Sequence, residues 1–522
     1  MIEVSLLPVA VIGLGLTVAV ERLLHPRPAL RRPADCWMLH AGLWCVGFGL
    51  LYALTARPLF SGVNLLLLWL LIVLVSNAKY HSLREPFVCA DFEYFSDAVK
   101  FPRLYLPFFG LTKAAMLAVG FLVYLWAGLS FEVPGARLAA LLPLVVGLGL
   151  LRLGHRPVQP SFDAERDVRG WGLAASLWRY FWAARAPVDR EALGSPFGGQ
   201  PVEAACPANA SAQHTQPPAS SLPDLVSVQS ESFFDVRDLW SGVRQQVLGQ
   251  YDLLASQALA RGKLQVAAWG ANTVRTEFAY LTGIPTGRLG VHRFNPYRVL
   301  ARRGLPSIAS RLKAQGYRTI CIHPYDGGFY GRNKVLPALG FDEFIDVKAF
   351  NASQKAGPFI GDCAVADKIR ELLQAPGRTQ PLFIHAVTME NHGPLHLESV
   401  AAHELPAWFD RPLQPDMQDL APYLRHICNA DRMLGMLRET LLALPKPALL
   451  CFYGDHVPIL PEVYQAIGAP AGDTDYLVWS NRHQPGCRAS ALAVQQLSST
   501  LLAHAQATVA GRQAPVATAG VA

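Results

Sequence analysis

Long apolar runs fill the first third of this 522-residue chain, and they constrain its fold more than any other feature. A helix needs about 20 predominantly apolar residues to cross a bilayer. The longer runs meet this length, and the fifth, which is interrupted by Pro143, is borderline. We therefore predict five membrane spans, at Val4–Val20, Cys36–Thr55, Leu59–Asn77, Ala114–Ser130 and Leu138–Leu151.

A cleaved signal peptide is the alternative interpretation of the first run. No Lys or Arg precedes that run, and further spans follow it without a clear small-residue cleavage site. We favour a retained span. With an odd number of spans, the two ends of the chain lie on opposite sides of the bilayer.

Basic residues cluster after the first and the third span, and Lys and Arg are enriched in cytoplasmic loops. The charge pattern alone therefore assigns both loops to the cytoplasm. After five spans it also assigns the carboxyl-terminal domain to the cytoplasm. The residues are Arg22, Arg27, Arg31 and Arg32 after the first span, and Lys79, Arg84, Lys100 and Arg103 after the third.

The composition supports a membrane protein and gives no sign of a nucleic-acid-binding protein or a zinc finger. Hydrophobic residues make up 51% of the chain and charged residues only 16%. The net charge of +7 is modest, and much of it lies beside the apolar runs, where anionic headgroups account for it without nucleic acid. Nine cysteines form no C-x-x-C pair, which argues against a zinc finger and gives no clear disulfide framework.

The rest of the chain divides by composition. A segment rich in Trp and Arg, Arg166–Arg185, fits either a helix in the membrane interface or an ordinary packing helix. The stretch Gly194–Ser221 is rich in Pro, Ala, Ser and Gln, as linkers are. We predict a membrane domain at 1–155, an interfacial helix and linker at 156–221, a catalytic domain at 222–490, and a carboxyl-terminal helix with a disordered tail at 491–522.

Short apolar runs alternate with helical patterns after the linker. Strands separated by helices predict an α/β sandwich with a largely parallel central sheet. The fold class is therefore a multi-span helical membrane domain followed by an α/β sandwich. The four strand candidates are Asp224–Gln229, Arg318–His323, Pro381–Met389 and Ala448–Tyr453.

Polar residues follow each strand candidate, and open α/β sheets bind ligands at the carboxyl ends of their strands. Glu231 follows the first strand, and Asp455 and His456 follow the fourth. Their oxygen and nitrogen atoms suit Mn²⁺, Mg²⁺ or Zn²⁺. Each motif alone has a simpler explanation, since an Asp at such a place can cap a helix. Their joint placement favours a metal site.

Thr273 is the candidate nucleophile. It follows small residues and precedes a helical pattern, so its hydroxyl would lie near a helix amino terminus that favours phosphate. Coordination to a metal would lower the pKa of this hydroxyl. The alternative is that Thr273 merely caps the helix.

Five motifs in order resemble the lipoteichoic acid synthases and related bacterial phosphoglycerol transferases. These proteins form part of the sulfatase branch of the alkaline-phosphatase superfamily. The resemblance covers roughly residues 222–490. The motifs are ESF at 231–233, GANTVRTEF at 270–278, HPYDGGFYGRN at 323–333, TMENHGP at 388–394 and GDH at 454–456.

The resemblance implies an alkaline-phosphatase-like fold with one divalent metal ion, Mn²⁺ first and Mg²⁺ or Zn²⁺ as alternatives. It assigns the metal to Glu231, Thr273, Asp455 and His456, with Thr273 as the catalytic nucleophile. It assigns substrate contacts to four further residues, His323, Tyr330, Arg332 and His392. This chain departs from the family at Tyr330, where the family has Trp.

The resemblance also implies a reaction and a location. Thr273 would take a phosphoglycerol group from a phospholipid such as phosphatidylglycerol, and a cell-envelope glycan would then receive it. The catalytic domain would lie outside the cytoplasm, on the bacterial plasma membrane, which is opposite to the charge pattern.

Three other functions compete with this interpretation. A phosphoethanolamine transferase shares the nucleophile and anchor, but such enzymes usually carry several disulfides. A sulfatase, or a phosphodiesterase of the same superfamily, shares the fold, but a sulfatase needs a Cys or Ser for conversion to formylglycine, and the segment Thr282–Arg288 offers neither in place. A catalytically inactive scaffold is disfavoured because every proposed ligand is present.

Overall fold

The computed structural model describes residues 2–93, 111–198, 222–482 and 487–511. The chain forms two compact units, Met1–Pro187 and Val188–Ala522. Most of the predicted linker, from residue 199 to residue 221, lies outside the described residues. So does the predicted tail from residue 512 onward.

The amino-terminal unit is helical, and each predicted span coincides with a helix. Among the described residues, three helices are long and apolar enough to cross a membrane: Ala34–Thr55, Pro58–Leu83 and Arg137–Gly154. Leu6–Glu21 and Val119–Phe131 are shorter apolar helices. The helices of this unit are α1 Leu6–Glu21, α2 Ala34–Thr55, α3 Pro58–Leu83, α4 Leu111–Phe131, α5 Leu141–Gly154, α6 Ala164–Trp171 and α7 Leu173–Ala183.

Large apolar side chains lie on the outer faces of these helices. Leu71 of α3 is 51% exposed and Val145 of α5 is 66% exposed. Helices that are apolar all round are typical of membranes, where lipid covers such faces. Pro143 does not interrupt the fifth span, because it lies in the first turn of α5, where a missing N–H costs no helical hydrogen bond.

The segment Arg166–Arg185 forms two helices rather than one. They meet at Gly172, whose φ of 81° is in the region that favours glycine. The Arg179 guanidinium donates to Asp35 of α2 at 2.6 Å and lies 4.0 Å from the centre of the Trp171 ring. These buried contacts show that the segment packs within its own unit.

One eight-stranded sheet forms the centre of the described carboxyl-terminal unit, in the order β10-β2-β9-β8-β1-β7-β3-β4. Only β9 runs against its neighbours, and all other paired strands of the sheet are parallel. The predicted α/β fold with a largely parallel sheet is therefore confirmed. The strands are β1 Asp224–Ser230, β2 Ala260–Gln265, β3 Arg318–Ile322, β4 Glu343–Ile345, β7 Leu382–Val387, β8 Ala448–Gly454, β9 Thr474–Ser480 and β10 Leu492–Ala493, with a separate hairpin of β5 Lys355–Ala356 and β6 Phe359–Ile360.

Helices cover both faces of this sheet. Successive residues of a strand point to opposite faces, and in β8 Leu450 and Phe452 join one core while Leu449 and Cys451 join the other. The helices are α8 Gly249–Ser256, α9 Thr273–Thr282, α10 Pro296–Val299, α11 Ile308–Ala314, α12 Arg332–Ala338, α13 Asp362–Leu373, α14 Leu405–Trp408, α15 Leu420–Leu442, α16 Pro461–Ile467 and α17 Val494–Ala510. Among them α8, α13 and α15 line the first core, and α9, α11, α12 and α17 line the second.

The parallel strands end at one level. The register pairs Ser230 at the end of β1 with Gly454 at the end of β8, so that Glu231 and Asp455 leave the sheet side by side. Glycine is required at position 454, because a Cβ there would collide with the carbonyl oxygen of Phe233. This edge of the sheet carries the candidate site.

Candidate active site

Glu231, Asp455 and His456 form a compact, buried cluster at the carboxyl ends of β1 and β8. Their potential ligand atoms all lie within 4.8 Å of one another. His456 Nε2 is 3.4 Å from Glu231 Oε1 and 3.3 Å from Asp455 Oδ2. The structure thus brings together the three side chains that the sequence assigns to a metal.

A divalent cation fits this set of atoms. His456 Nδ1 donates to the carbonyl of Val457 at 3.1 Å, since a carbonyl oxygen only accepts. In the neutral ring, Nε2 therefore directs a lone pair towards two carboxylates. Asp455 Oδ2 is buried and has no hydrogen-bond partner among the described residues. Two carboxylates in a buried site are costly without a cation, and this mixture of oxygen and nitrogen atoms suits Mn²⁺, Mg²⁺ or Zn²⁺.

Burial and the neighbouring charges shift the pKa values of two side chains in the cluster. Burial, followed by the Glu231 carboxylate, raises the pKa of Asp455 to about 7. Burial acts in the opposite direction on His456, but Asp455 and Glu231 outweigh it and raise the pKa of the imidazole. Without a metal, the cluster therefore retains a proton near neutral pH. A cation would displace that proton.

Neighbouring groups fix the orientation of these side chains. Asp455 Oδ1 accepts the backbone N–H groups of Ser232 at 2.8 Å and His456 at 2.9 Å. The Ser232 hydroxyl donates to Glu231 Oε1 at 3.0 Å, and the Glu231 N–H donates to the Thr388 hydroxyl at 3.0 Å. Such hydrogen bonds restrict the ligand oxygens to one arrangement.

Thr273 lies at the edge of the cluster, half-buried, as the first residue of α9. Its hydroxyl donates to Glu231 Oε2 at 3.5 Å. The cap of the helix is Asn272, with a left-handed φ of 68°, so Thr273 is not the N-cap. Thr276, one turn on, donates to the carbonyl of Asp455 at 2.8 Å and ties α9 to the cluster of Glu231, Asp455 and His456. A phosphate at Thr273 would stand at the positive end of a helix.

Arg332 and His323 contact each other in a buried position beside α9. Arg332 Nη1 lies 3.1 Å from His323 Nε2. Burial and the Arg332 charge hold the pKa of His323 well below its usual value, so the imidazole is neutral. Burial opposes the charge of Arg332, but the carboxylate of Glu277, 2.7 Å away, outweighs it and raises the pKa of the guanidinium.

Tyr330 and His392 occupy the rim of this group. The Tyr330 ring centre lies 5.4 Å from the Arg332 guanidinium carbon, and its φ of 55° is rare for a residue with a side chain. His392 is partly exposed, donates from Nδ1 to the carbonyl of Gly393 at 2.8 Å, and packs against the Phe359 ring. An electrostatic interaction with His392 is a smaller cause of the lowered pKa of His323, after burial and Arg332.

A second group of ionisable residues is buried between α13, α15 and the loop after β7. His426 Nδ1 lies 2.9 Å from Glu390 Oε1, and His426 Nε2 lies 3.1 Å from Glu398 Oε2. Burial opposes protonation, but the two carboxylates outweigh it and raise the pKa of His426 to about 9. Burial, followed by Glu390, raises the pKa of Asp362 well above its usual value.

Glu277 is one of the site residues that the sequence analysis does not name, although its position in the sequence gives a signal. Glu277 follows Thr273 by four positions, which is one helical turn, so both lie on the same face of α9. Ser232 and Thr388 stand beside predicted strand ends, but nothing in their pattern marks them as supports for Glu231. Asp362 and His426 have no local signal.

Comparison with known proteins gives a family and several relatives. The family model described as Sulfatase matches residues 223–507. The "Putative cyclic beta-1,2-glucan modification protein" of Rhizobium meliloti (strain 1021) is 29% identical in an alignment of 299 residues that covers 54% of this chain and 46% of that protein. The "Capsular polysaccharide biosynthesis protein RkpI" of the same organism is 26% identical over 451 residues, 82% of this chain and 78% of its own length.

A full-length membrane protein has a similar fold. The integral membrane protein lipooligosaccharide phosphoethanolamine transferase A (EptA) from Neisseria meningitidis superposes with a TM-score of 0.57 and 13% identity. The superposition covers 95% of this chain and 94% of that one. At this identity the likeness shows the fold: apolar amino-terminal helices followed by an alkaline-phosphatase-like domain.

Proposed function

This chain belongs to the sulfatase family, and on that premise we propose that it is a membrane-bound, metal-dependent transferase that moves a phosphoglycerol group from a phospholipid to a cell-envelope glycan. One observation carries the proposal. The hydroxyl of Thr273 lies 3.5 Å from Glu231 in the buried cluster that also contains Asp455 and His456. A hydroxyl beside a metal site is suited to attack on phosphorus.

The proposed metal ligands are Glu231, Thr273, Asp455 and His456, with Mn²⁺ as the proposed ion. When bound, a divalent cation lowers the pKa of a coordinated hydroxyl and neutralises charge on a phosphate. Glu231 Oε2 already accepts the hydrogen of Thr273 Oγ1, so the chain itself orients the nucleophile.

In the first step, Thr273 Oγ1 bonds to phosphorus as the bond from phosphorus to the diacylglycerol oxygen breaks. The hydroxyl proton leaves towards Glu231 Oε2 and on to solvent, and the diacylglycerol oxygen takes a proton from solvent as it departs. Arg332 would hold the phosphate oxygens through charge-assisted hydrogen bonds, with His323 and Tyr330 beside it. The product is a phosphoglycerol ester of Thr273.

In the second step, the acceptor hydroxyl gives up its proton as its oxygen bonds to phosphorus, the bond from phosphorus to Thr273 Oγ1 breaks, and Oγ1 regains a proton from solvent. His392 is placed to assist, because Nδ1 donates to a carbonyl and Nε2 is left as the nitrogen that accepts a proton. His392 is partly exposed, as contact with an incoming acceptor requires. The names of the two Rhizobium relatives, which refer to a glucan and a capsular polysaccharide, support a glycan as acceptor.

A phosphoethanolamine transferase is the second candidate, since one such enzyme has the same fold along nearly the whole chain. The state of the cysteines favours phosphoglycerol. The eight cysteines that the structure describes are all free, whereas the phosphoethanolamine transferases usually contain several disulfides. A sulfatase is disfavoured, because the hydroxyl at the metal cluster belongs to Thr273 and formylglycine requires Cys or Ser.

We place the catalytic domain outside the cytoplasm of a bacterial plasma membrane. The family resemblance supports this location, since envelope glycans are assembled there. The basic residues after the first and third spans favour the opposite side.

The donor lipid tests the proposal. Full-length protein in vesicles, supplied with Mn²⁺ and an envelope glycan as acceptor, should release diacylglycerol from phosphatidylglycerol labelled in its acyl chains and should not do so from phosphatidylethanolamine. Thr273→Ala should abolish release. Thr282→Ala is the matched control, because Thr282 ends the same helix and its hydroxyl bonds only to nearby backbone, the carbonyl of Phe278 and the N–H of Ile284. Preferential use of phosphatidylethanolamine would assign the second candidate instead.

A further inference from the structure

Glu277 and Arg332 form a buried ion pair that links two parts of the active site. Arg332 Nε lies 3.3 Å from Glu277 Oε1 and 3.2 Å from Oε2, and Arg332 Nη2 donates to Oε2 at 2.7 Å. The two side chains are 0% and 1% exposed. Glu277 lies one turn after Thr273 on α9, whereas Arg332 begins α12. The pair therefore joins the helix of the nucleophile to the segment that carries the proposed phosphate ligand.

His323 holds the same guanidinium from another side. Its Nδ1 lies 3.1 Å from the carbonyl of Val387, which can only accept, so Nδ1 carries the hydrogen. Nε2 then accepts from Arg332 Nη1 at 3.1 Å. Both ring nitrogens of His323 are thus engaged in hydrogen bonds, and the neutral imidazole helps to hold the Arg332 guanidinium in place.

The remaining hydrogens of Arg332 define its use. A guanidinium has five N–H groups. Glu277 takes that of Nε and one of Nη2, and His323 takes one of Nη1, which leaves one N–H on each terminal nitrogen without a partner among the described residues. Two N–H groups on a planar fork match two oxygens of a phosphate.

We propose that Glu277 is a positioning residue that fixes the Arg332 guanidinium, so that its two remaining N–H groups bind the phosphoryl group transferred to Thr273. The inference rests on the proposed function in one respect, namely that Arg332 binds the phosphate. A carboxylate on α9 gives Arg332 a fixed position relative to the nucleophile. The alternative is an ion pair that only stabilises the fold.

Phosphate affinity distinguishes these alternatives. With full-length protein in detergent and saturating Mn²⁺, calorimetric titration with inorganic phosphate should show on the order of tenfold to 100-fold weaker binding by Glu277→Gln than by wild type. In this variant only the amide oxygen of glutamine can accept a hydrogen bond from Arg332, and the amide N–H group would face an N–H group of the guanidinium. Glu277→Asp keeps the charge, and we expect it to recover part of the affinity.

Asp224→Asn is the matched control. Asp224 is also fully buried and also binds an arginine through two nitrogens, Arg378 Nη1 at 2.7 Å and Nη2 at 2.8 Å. It begins β1, at the end of the sheet remote from the site. This variant should lower the melting temperature and leave the phosphate affinity unchanged.

The outcomes separate this inference from the proposed function. Wild-type phosphate affinity in a folded Glu277→Gln protein would overturn the inference, even if phosphoglycerol transfer is intact. Should that variant not fold, wild-type affinity in Glu277→Asp would overturn it equally. Weakened phosphate binding in a protein that never transfers phosphoglycerol would keep the inference and reject the function.

Discussion

Replacing Asp455 with Asn tests the proposed metal site both without a cation and with one bound. Without a cation, Asp455 is buried beside Glu231, and its pKa is raised to about 7. In the unfolded chain the carboxyl group titrates near 3.9, so at pH 8 the ionised side chain costs roughly 4 kcal/mol of folding free energy. Because the folded pKa is the higher one, the contribution of Asp455 to the stability of the metal-free protein is most favourable below about pH 4 and is lost as the pH rises through about 7.

Asparagine removes this titration and keeps the local geometry. Its carbonyl oxygen can still accept the N–H groups of Ser232 and His456, which Asp455 Oδ1 accepts at 2.8 and 2.9 Å. In EDTA at pH 8, Asp455→Asn should therefore unfold at a higher temperature than wild type. At pH 4 the two proteins should be alike.

Metal should reduce this difference between the two proteins. A ligand at 100 times its Kd stabilises the folded state by about 2.7 kcal/mol. Wild type should gain such a shift with Mn²⁺, whereas Asp455→Asn, which lacks one anionic ligand, should not. Thermal unfolding of the full-length protein in detergent, with EDTA or Mn²⁺, measures both effects.

Asp431→Asn provides the control for this experiment. Asp431 is a second buried carboxylate that accepts two backbone N–H groups, those of Gln250 at 3.0 Å and Tyr251 at 2.7 Å, outside the cluster. Its replacement should leave the Mn²⁺ shift intact. The reasoning is refuted if Asp455→Asn is less stable than wild type in EDTA at pH 8, or if it keeps the wild-type Mn²⁺ shift.

Two further variants test the surroundings of the site. Burial lowers the pKa of His426, but the Glu390 and Glu398 carboxylates outweigh it and raise this pKa to about 9. The charge of the imidazole should therefore contribute roughly 3 kcal/mol to the free energy of unfolding. This contribution is present below about pH 6.5 and is lost as the pH rises through about 9. Denaturant titrations should show that the free energy of unfolding of His426→Gln depends less on pH between these values than that of wild type. An equal dependence on pH in the two proteins would contradict the raised pKa of His426. Asn272 has a left-handed φ of 68°, so Asn272→Val should be less stable than Asn272→Gly by about 1–2 kcal/mol. Equal denaturation midpoints for both variants would be inconsistent with that backbone.

The strands that sequence predicts are those with a simple pattern. β1, β3, β7 and β8 are central, buried on both faces and bounded by polar residues, so each is a short apolar run. β2 has no such run, because Ala260–Gln265 is an outer strand with partly exposed, polar side chains. β9 is fully buried but runs against its neighbours, and no local pattern gives a strand its direction.

The same distinction applies to the site. Glu231, Asp455 and His456 are predictable because each directly follows a central strand, and the register of a parallel sheet brings strand ends together. The partnership of Glu277 with Arg332 is not predictable in this way, because it spans 55 positions and depends on how α9 packs beside α12. The five motifs nevertheless include both residues.

A covalent intermediate on Thr273 tests the central claim most directly. Full-length protein should be incubated with Mn²⁺ and phosphatidylglycerol labelled in the headgroup, without a glycan acceptor, then quenched with acid and digested. Mass spectrometry of the peptide that contains Thr273 should show one glycerol phosphate on this residue, and addition of acceptor should remove it. Release of diacylglycerol with no label on Thr273 would contradict the account.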